Sequence, residues 1–317
     1  MRTAFVEGLS ELAAENPNIV LITGDLGFGV LADFRERFPD QFLNVGVAEQ
    51  NLASVAAGLA LTGHIVFAYS IGNFPTLRCL EQIRNDICYH RANVKIVTIG
   101  GGLAYGSLGM SHHATEDIAI LRVLPEMMVV APGDPVETRK LLPQIMAHDG
   151  PAYLRLGRAG ECPIISPEAT VELGKPTTVR SGSDLLLLTT GGMLPVAVGV
   201  ADQLGKGGVS VRVASVHTLS PLNKSVIHSM LEAVPAIITC EEHSIYGGLG
   251  GCIAEVIAES DLNPTFRRFG LNGRFAQGVG SQQYLRAHNQ IGHEALLDLA
   301  RSLHAQATGF EPKPMRR

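Results

Sequence analysis

The chain is 317 residues long, which is enough for two domains that each bury a core, and 46% of its residues are hydrophobic. Only 17% are charged, against about 25% in typical soluble domains, so either other subunits cover part of the surface or the core is simply rich in Gly and Ala. The net charge of −5 excludes a basic footprint for nucleic acid, and five cysteines without a C-x-x-C pair indicate a reducing cytoplasm, with neither a disulfide framework nor a zinc site.

Residues 1–162 alternate between helical patterns and β-rich runs. An amphipathic helix with Phe5, Leu9 and Leu12 at helical spacing opens the chain. Unbroken Val and Ile runs suit strands that are covered on both faces. Strands are predicted at 18–25, 64–70, 93–101, 126–133 and 151–157, and helices at 47–61, 74–89, 112–122 and 134–147. The alternation predicts an α/β domain with a doubly wound, largely parallel sheet.

A polar, irregular segment at 163–184 is predicted to be a linker across the surface. After it, the strand-like runs "LLLLTT", "VSVRVASV" and "AIITCEEH" alternate with helical patterns, and "YGGLGG" opens a further helix. The apolar stretch 185–200 is interrupted by Thr, Gly and Pro residues, so it does not predict a membrane span. The sequence therefore predicts a second, smaller α/β domain at 185–317.

An acid stands at the start of the Ala-rich helix in "NVGVAEQNLASVAAGLAL", residues 44–61. Glu49 there is flanked by Val45, Val47 and Leu52, which we expect to be buried. A helix dipole stabilises an acid in the first turn, but this explains an exposed acid better than one among apolar neighbours. Desolvation raises the pKa of a carboxylic acid and suits it to proton exchange with a neutral heterocycle. We therefore predict that Glu49 is a general acid–base group whose partner is a ring nitrogen.

Six segments, in the same order along the chain, resemble the transketolase family and together cover nearly the whole sequence. They are "NVGVAEQNLASVAAGLALTG", "LEQIRNDI", "GMSHHATEDIAILRVLPEMMVVAPGDPVE", "GPAYLRLGR", "VRVASVHTLSPLN" and "EEHSIYGGLGG". The first resembles the family's G-[IV]-x-E-Q motif. The resemblance implies a pyrimidine-binding domain at 1–162, a transketolase C-terminal domain at 185–317, and thiamine diphosphate as the cofactor.

The resemblance also implies which residues contact the cofactor. The family's glutamate, here Glu49, hydrogen-bonds the aminopyrimidine ring and activates the cofactor by proton transfer. Family members carry an F-x-x-F pair against that ring, and Ile71 and Phe74 occupy the two positions in "SIGNF". Both could also be plain core residues. Asp25 in "TGDLGFG" matches a family aspartate near the cofactor, whereas Gly29 stands where a phosphate-binding Ser is common.

The substrate site departs from the family pattern. Where the family reads D-G-x-T-H, this chain has "LGMSH", so His112 is kept for contact with a substrate oxygen and Leu108 replaces the Asp. Because Leu108 cannot bind a hydroxyl, we expect a sugar that is deoxygenated, branched or otherwise modified there. Arg158 matches an arginine that binds the sugar phosphate, unless it forms a surface ion pair. His112 and Glu116 are four residues apart, as metal ligands on a helix can be, but no third ligand is evident and no metal site is predicted.

The family's diphosphate-binding signature, G-D-G followed by N-N, does not occur in the sequence. We therefore expect a partner subunit that carries this domain and supplies most of the contacts to the Mg²⁺ and to the diphosphate. We expect two copies of each subunit in the assembly. The predicted activity is transfer of a two-carbon ketol unit between sugars. Three alternatives remain: a β subunit of a 2-oxoacid dehydrogenase, a deoxyxylulose-phosphate-synthase-like enzyme, and a non-catalytic scaffold subunit.

Overall fold

The computed structural model of the protein describes residues 1–309. The N-terminal half runs as α1 (Arg2–Glu15), β1 (Ile19–Thr23), α2 (Ala32–Arg37), β2 (Phe42–Asn44), α3 (Glu49–Leu61), β3 (Ile65–Ile71), α4 (Leu80–Gln82), β4 (Val94–Ile99), α5 (Asp117–Arg122), β5 (Met128–Val130), α6 (Pro135–Ala147) and β6 (Ala152–Leu156). The C-terminal half runs as β7 (Thr177–Arg180), β8 (Leu185–Thr189), α7 (Leu194–Lys206), β9 (Val211–Ser215), β10 (Thr218–Ser220), α8 (Lys224–Glu232), β11 (Ala236–Ser244), α9 (Leu249–Ala258), β12 (Thr265–Leu271), α10 (Gln282–His288) and α11 (His293–Thr308).

The first sheet has seven strands in the order β10-β5-β6-β4-β3-β1-β2, and all neighbours are parallel except β10 and β5. Every residue of β1, β4 and β6 is buried, which agrees with strands covered on both faces. Helices α1 and α6 pack against each other, and α3 packs against β3. The carboxyl ends of β1, β3, β4 and β6 therefore share one edge of the sheet.

The second sheet has five strands in the order β12-β11-β8-β9-β7. Its neighbours are parallel except β7 and β9. Helices α7 and α11 pack on each other, and their buried residues join one apolar core that extends into the first sheet. The predicted fold class is thus confirmed: a doubly wound, largely parallel sheet is followed by a smaller α/β unit.

Two short strands lie at the boundary between the halves, and one of them joins the sheet of the other half. Strand β7 lies inside the segment 163–184, which the sequence predicted to be linker, and it closes one edge of the second sheet. Strand β10 belongs in sequence to the second half, yet it pairs with β5 at the edge of the first sheet. Short, partly polar edge strands leave a weak sequence pattern, because the preference of a residue for a strand depends on the neighbours that the strand meets.

Two predicted helices begin later than expected. In the segment 74–89, Phe74 precedes a proline, which disfavours the helical conformation, so regular structure starts with α4 and continues as a π-helical turn over Ile83–Cys88. The helix predicted at 112–122 is α5 and starts at Asp117. A short 3-10 turn covers Met110–His112, and Ala114 then exchanges backbone hydrogen bonds of 2.8 and 2.9 Å with Gly102, so the chain is held away from the helix until Asp117.

Several elements had no counterpart in the sequence prediction, namely α2, β2, β12, α10 and α11. The basic tail that follows α11, residues 310–317, lies outside the described residues. None of the helices within residues 1–309 combines the length and the apolar character that crossing a bilayer requires.

Candidate active site

The predicted site residues follow neighbouring strands of the first sheet at one edge. Asp25 comes after β1, Ile71 ends β3 and Arg158 follows β6, while Glu49 begins the helix after β2. Ligands of open α/β sheets bind outside the carboxyl ends of the strands. The topology therefore brings residues that are far apart in sequence to the edge where a ligand is expected.

Glu49 is the first residue of α3 and is 8% exposed. Its carboxylate borders a surface cavity of about 550 Å³, lined by residues 47–51 and Arg78. Leu52 beneath it is buried as predicted, but Val47 is 75% exposed, so the expectation that this valine is buried was wrong. Glu49 is thus a buried acid beside an open surface cavity that the exposed Val47 also lines.

Arg78 is the residue that sequence reasoning missed. Its Nη1 donates a hydrogen bond of 3.0 Å to Glu49 Oε1, and its guanidinium carbon lies 4.4 Å from the centre of the Phe74 ring. The residue is otherwise mostly exposed. A cation over an aromatic face is attracted by the ring quadrupole. Arg78 therefore covers one face of the Phe74 ring and at the same time hydrogen-bonds one carboxylate oxygen of Glu49.

His112 completes this group. Its ring lies 5.1 Å from the Phe74 ring, edge to face, and its Nδ1 is 3.0 Å from the Ser111 hydroxyl. Partial burial lowers the pKa of His112 below its ordinary value, and the charge of Arg78 lowers this pKa further. The imidazole is therefore neutral at neutral pH and can either donate or accept a proton.

Hydrogen bonds of Ile71 and Asp25 hold the chain segments next to Phe74 and Glu49. The backbone oxygen of Ile71 accepts a hydrogen bond of 2.9 Å from the Phe74 N–H, which sets the position of the aromatic ring. Asp25 has a positive φ of 60° and exchanges two hydrogen bonds of 2.9 Å with Asn44. Asn44 also accepts the Gly46 N–H at 3.0 Å, so Asp25 is tied to the loop that leads into α3.

Leu108 lies on the loop after β4, and Arg158 lies on the loop after β6, at the same edge of the sheet. Leu108 is 53% exposed, and its N–H bonds to the carbonyl of Tyr105, whose ring centre is 5.4 Å from the Arg158 guanidinium carbon. The His112 N–H bonds to the carbonyl of Gly109 at 3.0 Å, and His112 and Leu108 lie on two successive 3-10 turns, Met110–His112 and Gly106–Leu108. Arg158 contacts that loop through Tyr105, whereas Glu49, Phe74 and Arg78 form one directly connected group.

The spacing of His112 and Glu116 does not produce a metal site in the structure. Among residues 1–309, no group of three or more His, Cys, Asp or Glu side chains is arranged to hold a metal ion. Glu116 instead accepts a hydrogen bond of 2.9 Å from the Thr115 hydroxyl.

A buried ion pair supports the loop behind His112. Arg155 Nε donates to Asp117 Oδ2 at 2.7 Å, and Arg155 Nη2 donates to the carbonyl of Ala114 at 2.7 Å. Both side chains are almost completely buried. The sequence signal was a charged residue inside the apolar run "PAYLRLG", where an arginine must find a partner. Arg155 positions this loop and does not belong to the predicted site.

Comparisons with known proteins agree with this fold. The profile of the transketolase pyrimidine binding domain matches residues 1–160, and that of the transketolase C-terminal domain matches residues 174–288. The chain therefore belongs to the transketolase family, which confirms the resemblance seen in the sequence. Membership of this family implies dependence on thiamine diphosphate.

Individual relatives include separate subunits. A putative transketolase C-terminal section from Methanocaldococcus jannaschii is 39% identical over 92% of both chains. One subunit of an apulose-4-phosphate transketolase from Phocaeicola vulgatus is 37% identical over 82% of this chain and 84% of its own. A 6-deoxy-6-sulfo-D-fructose transketolase subunit from Clostridium sp. is 35% identical over 90% of this chain and 88% of its own.

A solved structure is similar in fold to this chain. A split gene transketolase, described as an inactive β4 tetramer, superposes with a TM-score of 0.86 and 35% identity over 98% of both chains. The protein thus resembles transketolase subunits over 82 to 98% of its length.

Proposed function

We propose that this chain is the C-terminal subunit of a split transketolase that transfers a two-carbon ketol unit from a ketose to an aldehyde, with thiamine diphosphate as cofactor. The observation that carries the proposal is Glu49, a buried carboxylate in the first turn of α3 that opens onto a cavity of about 550 Å³ near Phe74. Transferase activity is the class suggested by its relatives.

The residues fit the aminopyrimidine half of the cofactor. A carboxylate, an aromatic face and an open cavity are what a flat heterocycle with a basic ring nitrogen needs. The bound cofactor supplies the carbon nucleophile. Glu49 holds a proton at its carboxyl oxygen toward the ring nitrogen, and Phe74 and Ile71 orient the ring. Arg78 covers one face of Phe74, so a ring packed on that face would require Arg78 to move away.

His112 acts on the substrate. Because its pKa is lowered, the imidazole is neutral near pH 7 and can donate its N–H to a substrate oxygen or take a proton from one. Arg158 is exposed on the loop after β6 at the same edge of the sheet, where it binds the far phosphate of a phosphorylated sugar. Asp25 holds the loop beside the cofactor.

A partner subunit completes the pocket and holds the diphosphate and Mg²⁺, with two copies of each chain in the assembly. Exposed apolar side chains on this part of the fold support this arrangement, namely Phe28, Leu43, Val47 and Leu77. Clustered exposed apolar residues mark interaction surfaces, and burial in a heteromeric interface removes them from water.

Reconstitution tests the proposal. The chain is assayed for ketol transfer alone and together with the chain from the adjacent reading frame, provided that frame encodes the G-D-G and N-N segments. We expect activity that requires both chains and thiamine diphosphate. Full activity of this chain alone, or decarboxylation of pyruvate in place of ketol transfer, contradicts the proposal.

A pair of glutamate variants separates a catalytic subunit from a scaffold. Glu49→Gln keeps the size of the side chain but cannot transfer a proton, and we expect it to lower kcat by about 10²-fold or more. Glu81→Gln changes an exposed glutamate on α4 and serves as the control. Equal activity of both variants indicates a scaffold.

The sugar itself is expected to be modified at the position that Leu108 faces. Relatives of similar identity are named for two different sugars, apulose-4-phosphate and 6-deoxy-6-sulfo-D-fructose, so similarity alone does not select the substrate. Leu108 offers an apolar surface where a hydroxyl-binding Asp is usual. A ketose panel assayed with the unchanged chain and with Leu108→Asp tests this. If xylulose 5-phosphate is the best donor for both, the idea is wrong.

A further inference from the structure

The loop that carries His112 is held by the second half of the chain. Residues 103–115, which we call the His112 loop, follow β4 of the first sheet and contain both Leu108 and His112. Among residues 1–309, those that line the cavity at Glu49 all belong to the first half. The second half therefore contacts the candidate site through the His112 loop and not through the wall of that cavity.

Glu242 holds the beginning of the His112 loop. This residue stands near the end of β11, is 2% exposed, and accepts the N–H of the fully buried Leu103 at Oε1 over 2.5 Å. Gln282 Nε2 donates to both carboxylate oxygens at 2.9 and 3.0 Å, and Arg286 Nε donates to Oε2 at 2.6 Å. Because both donors come from α10, they fix the carboxylate in the orientation that receives the Leu103 N–H.

Two backbone hydrogen bonds hold the loop nearer its middle and its end. The Gly280 N–H donates to the carbonyl of Gly106 at 3.3 Å, and the Ser244 N–H donates to the carbonyl of Thr115 at 2.8 Å. Both donors belong to the second half. The two residues that we assign to the substrate therefore lie between points at which the second half fixes the loop.

The close approach of Glu242 depends on a glycine. Gly102 has a φ of +68°, and a methyl group on it would come within 2.7 Å of the Glu242 side chain. Arg155 adds a second link, since its Nη2 donates to the carbonyl of Glu242 at 3.1 Å and to the carbonyl of Ala114 at 2.7 Å. Strand β11 is thus connected to the loop near both of its ends.

We propose that Glu242 is a positioning residue: through the Leu103 N–H it sets the place at which His112 meets a substrate oxygen. The proposal rests on the proposed function only for the assignment of His112 to the substrate. Glu242 is buried and acts through the loop, so its effect is one of geometry. Displacing a positioned group by about 1 Å can cost about 10²-fold in rate, even when the change lies far from the reacting atoms.

Glu242→Asp tests the proposal in the full chain. The shorter side chain keeps the charge that pairs with Arg286, whose long side chain can follow it, but it withdraws the carboxylate by roughly 1.5 Å. The Leu103 N–H belongs to the backbone and is then left beyond hydrogen-bond range. Glu241→Asp is the matched control, because Glu241 is equally buried and accepts two backbone N–H groups within the second half.

NMR of the chain alone reports the position of the loop. Burial lowers the pKa of His112, and the charge of Arg78 lowers it further, so a released loop should raise this pKa toward its ordinary value. We expect that rise in Glu242→Asp, together with exchange of the Leu103 amide hydrogen that is faster by about tenfold or more. Glu241→Asp should change neither quantity, although both variants lower the Tm. Equal responses of the two variants, or no response in either, overturn the inference.

A milder pair of variants decides the question if Glu242→Asp does not fold. Gln282→Ala removes one donor to Glu242 and leaves the ion pair with Arg286, and the exposed neighbour Gln283 provides the control Gln283→Ala. Gln282→Ala should shift both NMR quantities in the same direction by a smaller amount. If it behaves like Gln283→Ala, the inference is wrong.

Kinetics of the reconstituted complex separate this inference from the proposed function. Glu242→Asp should raise the KM for the ketose and lower kcat/KM by about tenfold or more. Proton exchange at the reactive carbon of the cofactor, which depends on Glu49, should stay unchanged. An equal loss of both indicates general damage to the structure and overturns the inference. If the complex shows no ketol transfer at all, the proposed function fails, while the His112 titration of the chain alone still tests the role of Glu242.

Discussion

Replacing Glu137 with Gln should change how the stability of the chain depends on pH. Glu137 stands in the first turn of α6 and is fully buried at the contact between the two halves. Its Oε2 accepts hydrogen bonds from the Gly133 N–H at 2.6 Å and the Ser215 hydroxyl at 2.8 Å. Burial raises the pKa of Glu137 from 4.5 to about 7, although these two hydrogen bonds lower it in part.

The sign of the effect follows from that shift. A carboxyl whose pKa is higher in the folded state binds a proton on folding, so its contribution is fully present below pH 4.5 and is lost as the pH rises through 7. A rise from 4.5 to about 7 corresponds to a loss of about 3 kcal/mol, at 1.36 kcal/mol for each pH unit. Glutamine can accept the same two hydrogen bonds but cannot ionise, so Glu137→Gln should not show this loss.

Urea unfolding at a series of pH values from 4 to 8 measures the effect. The chain has no tryptophan, so far-UV circular dichroism is the suitable signal. The free energy of unfolding of Glu137→Gln, relative to the unchanged chain, should rise by about 3 kcal/mol across this range. Burial lowers the pKa of the neighbouring His217 to about 4, with the opposite sign, and its Nε2 lies 4.0 Å from Glu137 Oε1, so the comparison is repeated with His217→Gln in both proteins to isolate the effect of Glu137. A difference that does not change with pH refutes the reasoning.

Two further predictions concern packing and the active site. Phe5 is fully buried, and its ring stacks on the Tyr69 ring with centroids 6.1 Å apart. Phe5→Ala should therefore lower the free energy of unfolding by about 3 to 5 kcal/mol in urea titrations, and a loss below about 1 kcal/mol would contradict this packing. Arg78→Gln removes a nearby positive charge, so the pKa of His112 should rise toward its ordinary value in an NMR titration; an unchanged pKa would show that Arg78 does not act on His112.

The sequence predicted the centre of the fold well and its edges poorly. Strands such as β4 and β6 are buried on both faces, and this requires unbroken apolar runs that are visible in the sequence. Strands β7 and β10 lie at sheet edges, where pairing depends on which backbone happens to be adjacent in space. No local sequence pattern indicates that β10 pairs with β5 of the first sheet and not with a strand of the second sheet.

Candidate site residues could be named from the sequence where a single segment carries them. Glu49, Phe74 and His112 each stand in a recognisable motif, and the structure brings Phe74 into contact with His112 and, through Arg78, with Glu49. Arg78 itself was missed because its role depends on a contact with Glu49 across 29 positions of sequence. The exposure of Val47 was missed because an apolar residue is predicted to be buried in its own chain unless an interface with a partner subunit is considered.

The central claim is that Glu49 passes a proton to the ring nitrogen of a bound cofactor in a pocket completed by a second chain. Proton exchange at the reactive carbon of the thiazolium ring, followed by NMR in the reconstituted complex, measures this step without any sugar. We predict that exchange is fast in the unchanged complex and slower by about 10²-fold or more with Glu49→Gln. Equal exchange rates in the two complexes would contradict the account.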